Sequence, residues 1–184
     1  MKTVYIYLAN GFEEAEALVP CDMLRRAEID AKLVSITGDV IVTGARGIRA
    51  VADITIDKAD IEKADMIVLP GGFPGFENLA NSDSVMNAVD YMIKNEKLVG
   101  AICGAPAAVL GKNGYLKDRR AVCYPGMEED MNCKRIHNGD VCVDGNIVTA
   151  KSAACALEFA FVLITALCGS GKASQVMKSV VYNG

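Results

Sequence analysis

The sequence predicts an α/β fold in which a mostly parallel β-sheet carries helices on both faces. Short apolar runs that end at Gly- or Pro-containing turns alternate along the chain with longer segments of helical composition. Two of these runs, residues 66–69 and 98–102, contain no polar side chain, which is typical of parallel strands buried on both faces. No linker or internal repeat divides the 184 residues, so we expect one domain over residues 1–184.

The first quarter of the chain is predicted to supply two strands, a helix and an irregular edge. The apolar run 3–9 is too short for a helix and ends at Asn-Gly, so it is interpreted as a strand. Residues 13–27 favour a helix with acidic residues in its first turn and two arginines in its last, and Pro20 predicts either a kink or a second segment that starts there. Residues 31–37 form the next predicted strand, and the glycine-interrupted pieces between 40 and 56 indicate hairpins or a sheet edge.

The remaining elements continue the alternation. They are, in order, a strand at 66–69, a helix capped by Ser82 or Asp83, a strand at 98–102, a helix at 105–110, strands at 121–124, 141–143 and 147–149, a helix at 153–168, and a C-terminal helix capped by Ser170 that ends near Val181. The helix at 153–168 is apolar nearly all round, but its length, with Glu158 inside it, falls short of the about 20 residues that a membrane span needs. We interpret it as a core helix and expect no membrane partner.

Composition excludes several classes of function. The 19 Lys and Arg against 23 Asp and Glu give a net charge of −4 with no basic block, which argues against a nucleic-acid partner. The first residues do not match a secretory signal, so a cytoplasmic location is expected. The seven cysteines lie mostly among apolar residues and form no Cys-x-x-Cys pair, which indicates free thiols. The single histidine, His137, lies in a polar turn that indicates exposure rather than catalysis, so no metal site and no cofactor are predicted.

Cys103 is the first candidate for chemistry, because ligands of such sheets bind beyond the carboxyl ends of the strands. The strand at 98–102 turns at once into the next helix, with small residues two positions either side of Cys103, which is the pattern of a nucleophile elbow. A sulfur at a helix N-terminus lies in a positive backbone field that favours the thiolate, and backbone amides there stabilise an oxyanion. The alternative interpretation is a buried apolar cysteine that only fills space.

Two other segments also follow predicted strands. Glu16 shares a helical face with apolar residues, which predicts a raised pKa and a protonated carboxyl able to donate to a thiolate; the alternative is a solvated helix glutamate. Glu13 and Glu14 are expected to be exposed carboxylates that complement the helix dipole. The turn at 70–75 either brings backbone N–H groups close to a substrate above Cys103 or simply reverses the chain.

Three motifs together resemble a known family. Residues 9–16 (Ala-Asn-Gly-Phe-Glu-Glu-Ala-Glu), 68–72 (Val-Leu-Pro-Gly-Gly) and 101–106 (Ala-Ile-Cys-Gly-Ala-Pro) occur in the order and spacing of the ThiJ/PfpI superfamily, and the chain is most similar to its DJ-1 branch. The resemblance runs from Val4 to the C-terminal helix. It implies a flavodoxin-like sandwich that is usually homodimeric.

The resemblance also implies roles for individual residues. Cys103 matches the reactive, oxidation-prone cysteine of the family, and Glu16 matches the protonated glutamate beside it. The amides of Gly72 and Gly104 match the oxyanion pocket. Arg46 falls near a family arginine that approaches the pocket from the dimer partner.

Departures from the family pattern bear on the implied activity. Tyr124 stands where members that isomerise methylglyoxal often have a histidine. Gly104 stands where protease-like members have a histidine, which argues against peptidase activity. The segment 151–155 also lacks the family's Gly-Pro-bearing turn. Proton transfer would then fall to Glu16, Tyr124 or water, so a slow enzyme is expected.

Two functions of different classes follow from these residues. The first is a stress-protection enzyme that acts on reactive α-oxoaldehydes, as a glutathione-independent glyoxalase or as a deglycase of their adducts, through the Cys103 thiolate and protonated Glu16. The alternative is a non-catalytic oxidative-stress sensor or chaperone in which Cys103 is oxidised to sulfinic acid beside Glu16. Hydration or hydrolysis of a small nitrogen-containing metabolite is compatible with the fold, but no residue indicates it. The expected partners are a small aldehyde or glycated substrate and a second copy of the chain.

Overall fold

A computed structural model describes residues 1–182. Its strands are β1 (Thr3–Leu8), β2 (Asp30–Ser35), β3 (Ile41–Thr43), β4 (Arg49–Val51), β5 (Ile54–Thr55), β6 (Met66–Leu69), β7 (Leu98–Ile102), β8 (Arg120–Ala121), β9 (Arg135–Ile136), β10 (Val141–Asp144) and β11 (Ile147–Ala150). Seven of them form one sheet in the spatial order β10, β11, β7, β6, β1, β2, β5, and only the pairing of β10 with β11 is antiparallel. The strands β3 and β4 form an antiparallel hairpin, and β8 and β9 form a short parallel ribbon.

Helices cover both faces of the large sheet. They are α1 (Glu14–Arg26), α2 (Gly75–Ala80), α3 (Asp83–Lys94), a π-helical segment (Pro106–Gly111), α4 (Ala156–Cys168) and α5 (Ser170–Ser179). Val4, Ile6 and Leu8 of β1 pack in the core layer that includes α1, α4 and α5. Tyr5 and Tyr7 belong to the opposite layer, which includes α3. The predicted mostly parallel sheet with helices on both faces is therefore confirmed.

Several local predictions agree with the structure. The strands at 66–69 and 98–102 have the predicted bounds. Between 40 and 56, both predicted features occur, because β3 and β4 form a hairpin while β5 lies at the edge of the large sheet. The hydroxyl of Ser82 caps α3 by accepting the N–H of Val85 at 3.4 Å. Among residues 1–182, no helix is long and apolar enough to cross a membrane.

Other local predictions were wrong in detail. Ser170 is the first residue of α5 rather than its cap, and the capping position is Gly169, whose φ is +85°. The predicted strand at 121–124 is reduced to β8, which pairs with β9 outside the large sheet. The helix predicted at 105–110 is a π-helical segment shifted by one residue. Pro20 lies inside one continuous α1, so no second helical segment begins there.

Candidate active site

Three segments that follow strands meet at one edge of the sheet. Because β7, β6 and β1 are neighbours, the residues after them, namely Cys103, 70–75 and 11–16, lie side by side at the carboxyl ends of these strands. They border a pocket of about 450 Å³. The residues that line it are Glu13, Glu16, Ala45, Arg46, Gly72, Phe73, Phe76, Cys103, Tyr124, Met127, Ser152, Ala153 and Ala154.

Cys103 occupies the sharp turn between β7 and the π-helical segment. Its φ of +66° lies in the left-handed region, which costs an L-residue roughly 1–2 kcal/mol. Two hydrogen bonds hold the turn: the Cys103 N–H donates to the Ala150 carbonyl at 2.9 Å, and the Cys103 carbonyl accepts the Tyr124 N–H at 2.8 Å. The half-buried thiol lines the pocket, which is the geometry of a nucleophile elbow.

Glu16 lies beside this thiol on the first turn of α1 and is only 1% exposed. Its Oε2 accepts the N–H of Gly71 at 2.8 Å, and the Cys103 thiol is within hydrogen-bonding reach. Burial raises the pKa of the Glu16 carboxyl to about 7, against the opposing hydrogen bonds from Gly71, Cys103 and Ala153. Glu16 therefore exchanges a proton near neutral pH.

The pKa of the Cys103 thiol differs from the expectation based on its helix N-terminus. Burial raises this pKa to about 12, and the negative charge of Glu16 contributes to the rise. The backbone N–H groups of Gly72 and Gly104 favour the thiolate but do not outweigh burial. The backbone groups therefore favour the thiolate as expected, but burial, which the expectation left out, reverses the net direction of the pKa change. Cys103 and Glu16 hold at most one negative charge between them at neutral pH, so the thiolate forms only together with a protonated Glu16.

Glycines are required where the backbone approaches these two side chains. A Cβ at Gly71 would lie 2.5 Å from the Cys103 Cβ and 2.6 Å from the Glu16 Oε2. Gly72 has a φ of +85°, and a Cβ at Gly104 would lie 2.6 Å from the ring of Phe76. The absence of side chains lets the N–H groups of Gly72 and Gly104 face the sulfur, where they can stabilise an oxyanion formed next to it.

Neither acidic residue beside Glu16 is exposed as predicted, because Glu14 is buried and Glu13 is half-buried at the pocket. Glu14 is 6% exposed, and its Oε1 accepts the N–H groups of Arg46 at 2.9 Å and Ile48 at 3.3 Å, so the prediction of an exposed carboxylate was wrong. The loop between β3 and β4 covers it. Glu13 lines the pocket, with its Oε2 4.0 Å from the Nε of Arg46. Arg46 thus stands at the pocket of its own chain, with a largely exposed side chain.

The pocket wall includes residues that sequence reasoning missed. Phe76 packs over Gly104, and Met127 lies three residues beyond Tyr124, which is 49% exposed at the pocket. Phe73 belongs to the turn at 70–75, which the sequence analysis already placed near Cys103 as one of two alternatives. No sequence pattern predicted that Met127 lies at the pocket. The segment 151–155, identified as a departure from the family pattern, contributes three residues to the wall.

The remaining candidate residues lie elsewhere. His137, which was predicted to be exposed, is half-buried and lines a different cleft, together with Arg120 and Arg135. The cysteines other than Cys103 are also free thiols; they are the buried Cys21, Cys123, Cys142 and Cys155, the half-buried Cys133 and the exposed Cys168. Within residues 1–182, no group of three or more His, Cys, Asp or Glu side chains is placed to hold a metal ion.

The chain is similar to several known proteins. Protein DJ-1 homolog A of Arabidopsis thaliana is 38% identical over 177 residues, which cover 95% of this chain and 45% of that protein. A protein of Pyrococcus horikoshii named as a deglycase is 30% identical over 153 residues, which cover 82% of this chain and 90% of that protein. The chain spans less than half the length of the Arabidopsis homologs A and B.

Comparison of structures and of family models gives the same relationship. The solved structure of oxidized DJ-1 from Toxoplasma gondii matches all of both chains with a TM-score of 0.96 and 33% sequence identity, which confirms the expected flavodoxin-like fold. The model described as the DJ-1/PfpI family matches residues 2–166. This chain belongs to the DJ-1/PfpI family.

Proposed function

We propose that this protein is a stress-protection enzyme that converts reactive α-oxoaldehydes, or their adducts, through Cys103 and Glu16. The observation that carries the proposal is the contact between a thiol and a carboxyl of near-neutral pKa, beside two backbone N–H groups that face the sulfur. The name of the Pyrococcus horikoshii relative as a deglycase supports the same class of chemistry.

The first step would form a hemithioacetal with an α-oxoaldehyde such as methylglyoxal. The Glu16 carboxylate accepts the thiol proton while the Cys103 sulfur attacks the aldehyde carbon, so one C–S bond forms as the C=O π bond breaks. The N–H groups of Gly72 and Gly104 stabilise the resulting alkoxide. Glu16 then returns its proton to that oxygen, which completes the adduct without net gain or loss of protons.

The later steps would move protons between the two carbons of the adduct. The Glu16 carboxylate removes the proton of the former aldehyde carbon, and the electron pair moves to the neighbouring carbonyl oxygen to give an enediolate. Glu16 then delivers that proton to the neighbouring carbon, and the proton of the hydroxyl on the sulfur-bearing carbon moves to the enediolate oxygen, which gives a thioester of a 2-hydroxy acid with no net change in protons. Water then hydrolyses the thioester to the free acid and regenerates the Cys103 thiol. Because the pKa of Cys103 is raised to about 12, attack depends on Glu16 as a base, and we expect slow turnover.

Lactate formation from methylglyoxal by the purified protein tests this function. Cys103→Ala and Glu16→Gln are each expected to lower kcat/KM by at least ~100-fold, because they remove the nucleophile and the proton carrier. Cys168→Ala, which removes an exposed thiol at the end of α4, is the matched control and is expected to retain the wild-type rate. Equal rates for wild type and Cys103→Ala would exclude the proposal.

A redox sensor is the second candidate function. A specific observation favours it: Cys103 is half-buried next to a carboxyl that can donate a hydrogen bond and two N–H groups that can hold oxygen atoms on the sulfur. Peroxide would oxidise the Cys103 thiolate to sulfenic acid with release of hydroxide, and a second peroxide would give the sulfinic acid.

Two measurements separate the sensor from the enzyme. Mass spectrometry after mild peroxide treatment is expected to find oxygen on Cys103 before the exposed Cys168 if the protein is a sensor, and equal oxidation of both would contradict that role. Substitution Tyr124→His supplies the imidazole found in many relatives that isomerise methylglyoxal. A large gain in lactate formation would indicate that the native pocket is not adapted to this reaction.

We also propose that two copies of the chain pair through the hairpin of β3 and β4. Ile41 and Val51 are directly opposite each other in the hairpin register and are 51% and 69% exposed. Ile48, in the connecting loop, is also exposed. Apolar side chains grouped on one exposed hairpin favour burial against a partner surface. Because Arg46 lies in the same loop, pairing would place the interface beside the pocket.

A further inference from the structure

The β8–β9 ribbon carries a cleft that the proposed chemistry does not use. Its volume is about 280 Å³, and its lining residues are Arg120, Arg135, Ile136, His137 and Asn138. None of these residues lines the pocket around Cys103. Two guanidinium groups and the chain's single imidazole therefore border a second, separate recess.

The two arginines are paired across the ribbon. Arg120 and Arg135 are direct partners in the parallel register, so their side chains project from the same side. Like charges directly opposite each other in a sheet are destabilising. The Nε of Arg120 lies 3.4 Å from the Oδ2 of Asp144, which relieves only one of the two charges. Within residues 1–182, the guanidinium of Arg135 makes no hydrogen bond or ion pair.

His137 extends the same side of the ribbon. The ladder continues through the His137 N–H, which donates to the Ala121 carbonyl at 2.8 Å, and alternation along a strand places His137 on the side of Arg135. The carboxylate of Asp140, three residues beyond His137, is paired with Lys151 at 2.9 Å, and Asp144 pairs with Arg120, so no carboxylate among residues 1–182 pairs with Arg135. The cleft is thus locally cationic on a chain whose net charge is −4.

We propose that this cleft binds a small molecule through a phosphomonoester group. An arginine guanidinium can donate two parallel hydrogen bonds to phosphate oxygens, and Arg120 and Arg135 project from one side of the ribbon, where both can donate to one phosphomonoester. A bound dianion would also remove the repulsion between Arg120 and Arg135. The volume equals that of roughly nine water molecules, which exceeds a phosphate group and leaves room for a small organic part.

The single histidine provides a direct measurement of binding. Proton NMR of the whole chain contains one set of imidazole signals, from His137, so their shifts report on this cleft without further assignment. The probes are inorganic phosphate and glycerol 3-phosphate, each titrated at constant ionic strength with sodium chloride as the reference salt. We expect saturable shifts with both probes and tighter binding of glycerol 3-phosphate. Linear, non-saturating shifts, or the same shifts with chloride, would overturn the proposal.

Variants test whether the arginines hold the phosphate. Arg135→Gln is expected to weaken binding by at least ~10-fold, the factor that corresponds to about 1.4 kcal/mol for one lost charge-assisted contact. Arg135→Lys keeps the charge but loses the paired donors, so an intermediate loss is expected. Lys178→Gln removes an exposed positive charge on α5 and is expected to bind like wild type.

Thermal unfolding gives a second readout that does not depend on NMR. Glycerol 3-phosphate is expected to raise the Tm of wild type but not that of Arg135→Gln, because a ligand stabilises only a protein that binds it. At low ionic strength without phosphate, Arg135→Gln is expected to have a Tm at or above that of wild type, since the substitution relieves like-charge repulsion. Unchanged phosphate binding by Arg135→Gln would exclude the site.

Discussion

The Cys103 thiol and the Glu16 carboxyl lie side by side at the pocket and bind at most two protons between them. Burial raises the pKa of both groups, to about 7 for Glu16 and about 12 for Cys103. The first proton to leave the pair does so near neutrality, and the second is held into alkaline pH. At neutral pH the pair carries one negative charge, so Cys103 is a thiolate only while Glu16 holds the proton. Both proposed functions therefore depend on Glu16.

The raised pKa of Glu16 predicts how stability depends on pH. The unfolded carboxyl has a pKa near 4.5 and the folded one about 7, so the folded protein binds this proton more tightly. The resulting stabilisation is complete below about 4.5 and is lost as the pH rises through about 7, with a total on the order of 3 kcal/mol. The Glu16→Gln variant has no titrating carboxyl at this position, so it does not lose this stability as the pH rises. Its stability relative to wild type should therefore increase between pH 4.5 and 8, a range in which the thiol of Cys103 stays protonated.

Urea unfolding of wild type and Glu16→Gln at intervals of pH measures this difference. Glu62→Gln, at an exposed position outside the pocket lining, is the control and should track wild type. A stability difference between Glu16→Gln and wild type that does not change between pH 4.5 and 8 would show that folding does not raise the pKa of Glu16.

Individual site residues differed in how well the sequence predicted them. Cys103 and Glu16 follow buried strands within short motifs, so local pattern places both at the same edge of the sheet. Glu14 was misjudged because the N–H groups that it accepts, from Arg46 and Ile48, lie more than thirty residues further along the chain. The raised pKa of Cys103 was also missed, since it depends on tertiary burial that the helix position does not indicate.

Strands whose own residues show a clear apolar pattern were predicted correctly, and strands that form only by pairing with distant segments were not. Strands β6 and β7 are wholly apolar and lie between other strands, so composition alone defines their bounds. The ribbon of β8 and β9 has two residues in each strand and is formed by pairing between distant segments. Such short strands carry no periodicity, which is why β9 was not predicted and β8 was placed wrongly.

The turn after β7 carries backbone strain that a substitution can release. Cys103 has a φ of +66°, and a glycine adopts that conformation without the steric cost of a Cβ. We therefore expect Cys103→Gly to be more stable than Cys103→Ala by about 1 kcal/mol, after the greater flexibility of glycine in the unfolded chain is included. Both variants lack the thiol, so the comparison isolates the backbone.

Urea denaturation of these two variants tests the strain. The same pair of changes at Cys155, whose φ of −93° is ordinary, provides the control, and there the alanine variant should be the more stable. If Cys103→Gly proved less stable than Cys103→Ala, the turn would not store strain in the folded protein.

At the scale of the whole molecule, the hairpin of β3 and β4 connects the pocket to the proposed interface. Glu14 on α1 accepts two N–H groups of the hairpin loop and so fixes the loop that carries Arg46. The exposed Ile41 and Val51 lie on the same hairpin. The family and the flavodoxin-like fold follow from the comparisons. One domain over 1–184, a second copy as partner and a cytoplasmic location stay predictions.

Val51→Asp is expected to weaken self-association of the chain. The substitution places a charge on the most exposed apolar side chain of the hairpin, opposite Ile41, where a partner surface would have to bury it unpaired. Sedimentation velocity over a range of concentrations should find a dimer for wild type and mainly monomer for Val51→Asp.

Val143→Asp, which places the same charge on the exposed side of β10, is the matched control and should remain dimeric. Because Val51 is 69% exposed, the fold itself should lose little stability, and urea unfolding of the variant verifies this. A dimer that persists unchanged in Val51→Asp would place the interface elsewhere, and a wild-type protein that stays monomeric at all concentrations would exclude pairing through the hairpin.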